Sequence, residues 1–385
     1  MRDFISQRTH RIPPSGIRRF FDIVQEMDDV ISLGVGEPDY ATPWVACEAG
    51  IASVEQGQTS YTSNSGLPEL RTEVSRYLSK RFGIQYHPED EMIVTTGASE
   101  ALDIAIRAVT DPGDEILIAD PSYVSYSPGV ILSDGVPVLV PCRMEDEFRL
   151  TPDALMEKIT PKSKAVICNF PNNPSGGVMS REDYRGIADV ICDHDLLLIS
   201  DEIYTEMTYD GEMTSAVQAD GLRERTILIN GFSKAYAMTG WRVAYLCAPK
   251  NLCEAALKIH QYVMLSAPTM SQYAAVGALR NADHDREEMV TEYQMRRNLF
   301  VRGLNRIGLT CHLPRGAFYA FPSIKDFGIS DVEFAERLLK EQHVAVVPGS
   351  VFGPSGEGHL RCAYAVSRDD LREAVNRIEK FITSL

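Results

Sequence analysis

The sequence predicts an α/β protein with a mainly parallel sheet, followed by a smaller α+β unit. Three observations carry this. Short apolar runs recur through the middle of the chain, each ending in a polar or turn-forming residue. Amphipathic helical stretches separate them. Beyond Asn281 that alternation stops.

The apolar runs come in order. Met92-Ile93-Val94 precedes Gly97, and Glu115 to Ala119 precedes Asp120-Pro121. Lys164 to Cys168 precedes Asn169, Leu196 to Ile199 precedes Ser200-Asp201, and Thr226 to Ile229 precedes Asn230. Continuous apolar runs of this length read as strands buried on both faces, as parallel sheets require. Between them lies a helix pattern from Arg181 to His194, with Ser180 as N-cap and Glu182-Asp183 in its first turn. After Asn281 come a long helix pattern over Asp285–Ile307, a strand signal at Gly316–Tyr319 and a helix near Asp331–Glu341. A strand at Val344–Val347 and a last helix over Arg368–Ile382 follow. The division is therefore an N-terminal arm (1–44) packing with the small unit, a large domain (45–281) and a small domain (282–385). Pro13-Pro14-Ser15-Gly16 interrupts regular structure in the arm.

A chain of 385 residues is long enough for two domains. Its 54 acidic residues outnumber its 38 basic ones, for a net charge of -16, which sets it against phosphate backbones and anionic lipid. Nucleic acid and membrane are thus excluded as expected partners. No CxxC or HExxH spacing occurs among its Cys and His, so the cysteines are expected reduced and no metal is expected. The start, Met1-Arg2-Asp3-Phe4, lacks a signal-peptide apolar segment, and no apolar run reaches membrane-spanning length, so the cytoplasm is the expected location.

In open α/β sheets, ligands bind beyond the carboxyl ends of the strands. Four segments there carry useful chemistry. Ser233-Lys234-Ala235-Tyr236-Ala237-Met238-Thr239-Gly240-Trp241-Arg242 offers an amine that can lose its proton and form a Schiff base, and a guanidinium fork for phosphate. In Ser200-Asp201-Glu202-Ile203-Tyr204 a carboxylate ends a strand, suited to a protonated pyridine nitrogen. Asn169-Phe170-Pro171-Asn172-Asn173-Pro174-Ser175-Gly176 turns after another strand, with a cis bond expected at Asn173-Pro174. Thr95-Thr96-Gly97-Ala98-Ser99-Glu100 passes from strand to helix and exposes N–H groups to an anion. Taken singly, each has a bland reading: a surface lysine, an N-capping aspartate, an ordinary turn and a capping turn.

Together, and with Tyr61, Tyr123 and Arg361, the segments resemble the class I aminotransferase family of fold type I pyridoxal-phosphate enzymes, in its aspartate aminotransferase-like branch. The resemblance covers nearly the whole chain, from Gly34-Val35-Gly36-Glu37-Pro38-Asp39 through Tyr61-Thr62-Ser63-Asn64-Ser65-Gly66 to Arg361-Cys362-Ala363-Tyr364-Ala365. It implies a seven-stranded sheet in the large domain, bound pyridoxal 5'-phosphate and a homodimer. It implies that Lys234 holds the cofactor as an internal aldimine and moves the substrate proton, while Asp201 keeps the pyridine nitrogen protonated. Tyr204 and Asn173 tune the phenolic oxygen, and Tyr123 stacks on the ring. Gly97, Ala98, Ser99, Ser233 and Arg242 belong to the cofactor site, with Ala98, Ser99 and Arg242 on the phosphate. Tyr61 reaches the phosphate of the neighbouring subunit's cofactor. Arg361 grips the substrate α-carboxylate, with Asn173 and a backbone contact at Gly36.

Two departures from the family pattern stand out. Gly231 occupies a position, three before the lysine, where many relatives have a phosphate-binding serine, and Tyr123 replaces the tryptophan of the aspartate-specific branch. The implied reaction moves an amino group from an amino acid, aspartate favoured, to a 2-oxo acid such as 2-oxoglutarate. Arg18 or Arg19 would read the side-chain carboxylate. Alanine, aromatic and diaminopimelate-type substrates stay open, as does C–S β-elimination on the same scaffold. A ligand-sensing module of a transcription regulator is the rival from another class, disfavoured by the acidic charge and by a start close to the arm.

Overall fold

The computed structural model describes residues 2–14, 27 and 29–385, so Arg18 and Arg19 lie outside the described residues. Twelve strands occur in it: β1 (Ile31–Ser32), β2 (Met92–Thr95), β3 (Glu115–Asp120), β4 (Val136–Pro141), β5 (Ser163–Asn169), β6 (Leu197–Asp201), β7 (Thr226–Gly231), β8 (Ala244–Cys247), β9 (Tyr319–Ala320), β10 (Val344–Ala345), β11 (Val347–Pro348) and β12 (Leu360–Ala363). Seven of them form one sheet in the order β2-β8-β7-β6-β5-β3-β4. Only β8 runs against its neighbours, so the carboxyl ends of β2, β3, β5, β6 and β7 share one edge.

The apolar runs work as buried strands because alternate residues feed two different cores. Leu117, Val166, Cys168 and Leu198 face one layer. Ile116, Ile118, Ile167, Ile199 and Ile227 face the other. Both faces are therefore dry, and the period-2 alternation of a half-exposed strand disappears from the sequence.

Two sheet strands do not stand out in the sequence. Strand β4 is a half-exposed edge with Pro137 and Pro141, residues that cannot donate to a ladder and are tolerated only there. Strand β8, Ala244-Tyr245-Leu246-Cys247, has none of the β-branched residues that mark the equally short β2. The strand expected at Gly316–Tyr319 is confined to Tyr319–Ala320. The Val344–Val347 run splits into β10 and β11, which belong to different sheets. The break at Val346 lets one apolar run serve two pairings, β10 beside β1 and β11 beside β12.

The helices follow their patterns closely. Arg181–Asp193 starts in a capping box in which Ser180 and Asp183 bond each other's backbone N–H. The long helix spans Asp283–Arg306, and helices also cover Asp331–Gln342 and Arg368–Ser384. In the N-terminal segment, Ile31–Ser32 joins the C-terminal unit through β10. Gln7–His10 instead lies beside Tyr126–Leu132, where Arg8 meets Asp134 at 2.7 Å.

The two units meet behind the turn that follows β6. Ile203, Tyr204 and Met207 pack into the core formed by the long helix and the C-terminal strands. Glu206 fixes this turn. It accepts from Tyr77 at 2.6 Å and from Arg81 at 2.6 and 3.0 Å, and lies 3.2 Å from Arg286 of the long helix. Glu206 and Arg286 are buried, so each needs the other to offset its lost hydration. All eight cysteines are free, six of them buried. No helix among the described residues is long and apolar enough to cross a membrane.

Candidate active site

A cavity of about 540 Å³ opens at the carboxyl edge of the sheet, walled on its far side by Tyr319 and Arg361. It gathers eleven residues singled out in the sequence: Gly36, Ala98, Ser99, Tyr123, Asn173, Asp201, Tyr204, Ser233, Lys234, Arg242 and Arg361. Gly97 and Tyr61 do not line it.

Lys234 follows β7, and its Nζ donates to the Gly36 carbonyl at 2.7 Å. Burial pulls its pKa down from the ordinary 10.5 to about 8. Glu37 opposes this, while Arg361 and Arg242 add to it. Asp201 ends β6, the strand next to β7. Burial pushes its carboxyl up to about 6, held back by a 2.8 Å hydrogen bond from the Tyr126 hydroxyl, by the Ile203 N–H and by the charge of Lys234. A buried carboxylate served mainly by neutral donors is suited to receiving a cationic N–H from a ring.

The turn after β5 is held by its own asparagines. Asn169 donates to the Asp201 carbonyl at 2.8 Å and accepts from the Asn173 N–H at 3.0 Å. Asn172 accepts from both the N–H and the hydroxyl of Ser175. The Asn173-Pro174 bond is cis, as expected. Asn173 thereby presents its side-chain oxygen to Arg361 Nη1 at 3.1 Å.

Arg361, in β12, is buried and sandwiched between the rings of Tyr319 and Phe352, at 4.7 and 4.8 Å. Its Nη2 donates to the Gly34 carbonyl at 2.5 Å, while Nε has no hydrogen-bond partner among the described residues. A stacked guanidinium with a spare donor is prepared for a carboxylate. Gly36 must be glycine, because a Cβ there would come within 2.7 Å of the Tyr319 hydroxyl.

At the opposite end, the helix Gly97–Val109 brings Ala98 and Ser99 of its first turn, where N–H groups lack intrahelical partners, to the cavity wall. Gly97 acts from outside the lining. Its φ is +77°, and a Cβ would meet Arg242 Nη2 at 2.5 Å, so the glycine lets the guanidinium lie across the helix start. Gly231 has an equally local cause. A Cβ there would sit 2.6 Å from the Ala244 Cβ on β8, so the strand pairing leaves no room for a serine. Ser233 lines the cavity two residues later.

Some site residues escaped notice in the sequence. Tyr126 reaches Asp201, and the hydroxyls of Tyr319 and Tyr204 lie 2.8 Å apart. Asn169 is present in the quoted turn, but its bridging of two strands needs the β5–β6 register to be seen. No spacing rule marks Tyr126 or Tyr319. Tyr61 is 82 % exposed and is not part of this chain's cavity wall.

The donor set fits pyridoxal 5'-phosphate: an amine of lowered pKa for its aldehyde, a buried carboxylate for its ring nitrogen, and helix N–H groups with a guanidinium for its phosphate.

Comparison with known proteins agrees with this donor set. The family profile described as "Aminotransferase class I and II" matches residues 28–378. The Bacillus subtilis protein YugH, an aminotransferase by name, is 53 % identical over 99 % of both chains. An aspartate aminotransferase of Pyrococcus abyssi is 45 % identical over 98 % of both. The solved aromatic aminotransferase of Pyrococcus horikoshii superposes with a TM-score of 0.91 at 43 % identity, over 96 % of this chain and 99 % of that one. The chain belongs to the class I and II aminotransferases, transferases that work with pyridoxal 5'-phosphate.

Proposed function

We propose that this aminotransferase takes the α-amino group of aspartate and passes it to a 2-oxo acid such as 2-oxoglutarate, with Lys234 as the group that moves the proton. The carrying observation is the meeting, in one cavity, of a lysine pushed towards its neutral form and a carboxylate on the adjacent strand. When bound, pyridoxal phosphate supplies the electron sink that acidifies the substrate α-hydrogen. The protein does the rest. Arg361 binds the α-carboxylate through its guanidinium, with Asn173 fixing the guanidinium plane. Lys234 Nζ would take the proton from the substrate Cα and deliver it to the cofactor's aldehyde-derived carbon, two bonds away. Asp201 holds a proton on the ring nitrogen, and Tyr126 holds Asp201. Tyr204 and Asn173 adjust the phenolic oxygen, Tyr123 stacks on the ring, and Ala98, Ser99, Ser233 and Arg242 receive the phosphate.

Aspartate carries a second carboxylate, which needs a further cation. Arg18 and Arg19 are the candidates for it. Aromatic amino acids are the second reading, favoured because relatives named for the two substrates stand at nearly equal identity.

We also propose a homodimer, with Tyr61 serving the neighbouring subunit's phosphate. Its exposure supports this, as do Trp44 and Tyr262, large rings that are 68 % and 87 % exposed.

Three outcomes are expected in activity measurements. Lys234→Ala lowers transamination by about 10⁴-fold or more, because no other amine reaches the α-proton. Asp201→Asn lowers it by roughly 10²-fold with near-normal circular dichroism. Near-normal turnover in either variant removes that residue from the mechanism. In a panel of amino acids, aspartate bleaches the visible absorption of the purified enzyme fastest. Faster bleaching by phenylalanine or tyrosine makes the aromatic reading correct.

In protein freed of cofactor, the neutral amine grows as pH rises through the Lys234 pKa. The ¹³C resonance of reductively methylated Lys234 should therefore titrate with a midpoint near 8. A midpoint at the ordinary 10.5 overturns the desolvation argument. Sedimentation should give a dimer, and Tyr61→Phe should weaken cofactor retention. A fully active monomer contradicts the shared site.

A further inference from the structure

Glu100 and His260 are buried ionisable groups with no part in the chemistry above. Glu100 lies in the first turn of the helix Gly97–Val109, directly after Ser99. Its Oε2 accepts the Thr96 N–H at 2.5 Å, and its Oε1 lies 2.6 Å from Nδ1 of His260. His260 belongs to the helix Lys250–Val263, is 0 % exposed, and its Nε2 has no partner among the described residues.

Thr96 is the N-cap of the helix, but its side chain makes no capping bond, and its hydroxyl is also without a partner. The capping is therefore one-sided. Glu100 reaches back and satisfies the N-cap N–H, in the manner of the acidic member of a capping box. Two consequences follow. The turn Thr96-Gly97-Ala98 is held shut by a charge-assisted bond, which fixes the direction of the N–H groups of Ala98 and Ser99. Moreover, the N–H that Glu100 occupies is the one farthest out of the helix, so those facing the cavity stay free for an anion. A carboxylate next to a phosphate site is costly unless its charge is taken up elsewhere. The His260 ring, with Nδ1 2.6 Å from Oε1 on the side of the second helix, engages the carboxyl oxygen that does not face Thr96.

We infer that Glu100 is a positioning residue for the cofactor phosphate, and that His260 holds it in that position. The inference rests on the cofactor reading above and adds residues that touch neither cofactor nor substrate. It assigns the pair to the phosphate alone, which separates it from general stability. A residue that merely supports the fold affects phosphorylated and unphosphorylated ligands alike.

The test uses the full chain freed of cofactor and titrated with pyridoxal 5'-phosphate and with pyridoxal, which has the same aldehyde and ring but no phosphate. Glu100→Ala should weaken pyridoxal phosphate roughly ten- to hundredfold, the loss of one charge-assisted bond, and leave pyridoxal within about twofold. Glu100→Gln keeps an acceptor for the Thr96 N–H and should restore most of the preference. His260→Gln should move it in the direction of Glu100→Ala, by less. Equal weakening of both ligands, or an unchanged preference in Glu100→Ala, overturns the inference. If Glu100→Ala does not fold, the decision passes to His260→Gln, where an unchanged preference has the same force. Wild-type protein showing no preference for the phosphorylated ligand would instead bring down the cofactor reading.

Discussion

The site depends on removing water from two opposite charges at once. Lys234 and Asp201 leave the sheet from adjacent strands, and each is pushed towards neutrality by the surroundings that hold it. In water, a lysine near 10.5 is almost never a base at neutral pH. Here desolvation brings it close to the working range. The same burial would leave Asp201 half-protonated near its shifted value. The Tyr126 hydroxyl opposes that shift without adding a competing charge. The parallel sheet matters because it delivers both groups, along with Asn173 and the helix N-terminus, to a single edge.

The remainder of the cavity is arranged by polarity. At one end Arg361 lies between two aromatic faces, which fix its plane and shield it from solvent. At the other, Arg242 lies over a glycine at the start of a helix. An anion is welcome at either end, and the amine stands between them. A molecule bearing a carboxylate can therefore be oriented relative to a phosphate across the edge of the sheet, whose strands are apolar in their middle residues.

Much of this was legible in the sequence, for identifiable reasons. The five apolar runs showed because both faces of their strands are buried, and the Ser180 cap showed because its chemistry is local. Lys234, Asp201 and Asn173 were found because each lies in the short polar segment that follows such a run. Strands β4 and β8 were not, one diluted by edge prolines and the other lacking β-branched residues. Tyr126 and Tyr319 were missed because their roles depend on which strands come side by side. Tyr126 lies 75 residues from Asp201 in sequence, and nothing in its own neighbourhood marks it. The split of Val344–Val347 between two sheets was equally out of reach, since an unbroken apolar run carries no sign of where its partners change.

Gly231 has an implication for redesign. Because β8 lies against that glycine, the hydroxyl many relatives place there cannot be grafted in without prising two neighbouring strands apart. A tighter grip on the vitamin B6 tail then has to come from the start of the helix Gly97–Val109, where Ser99 and Arg242 border the cavity. The family's serine and this glycine are alternative solutions, separated by a barrier that no single exchange crosses cheaply.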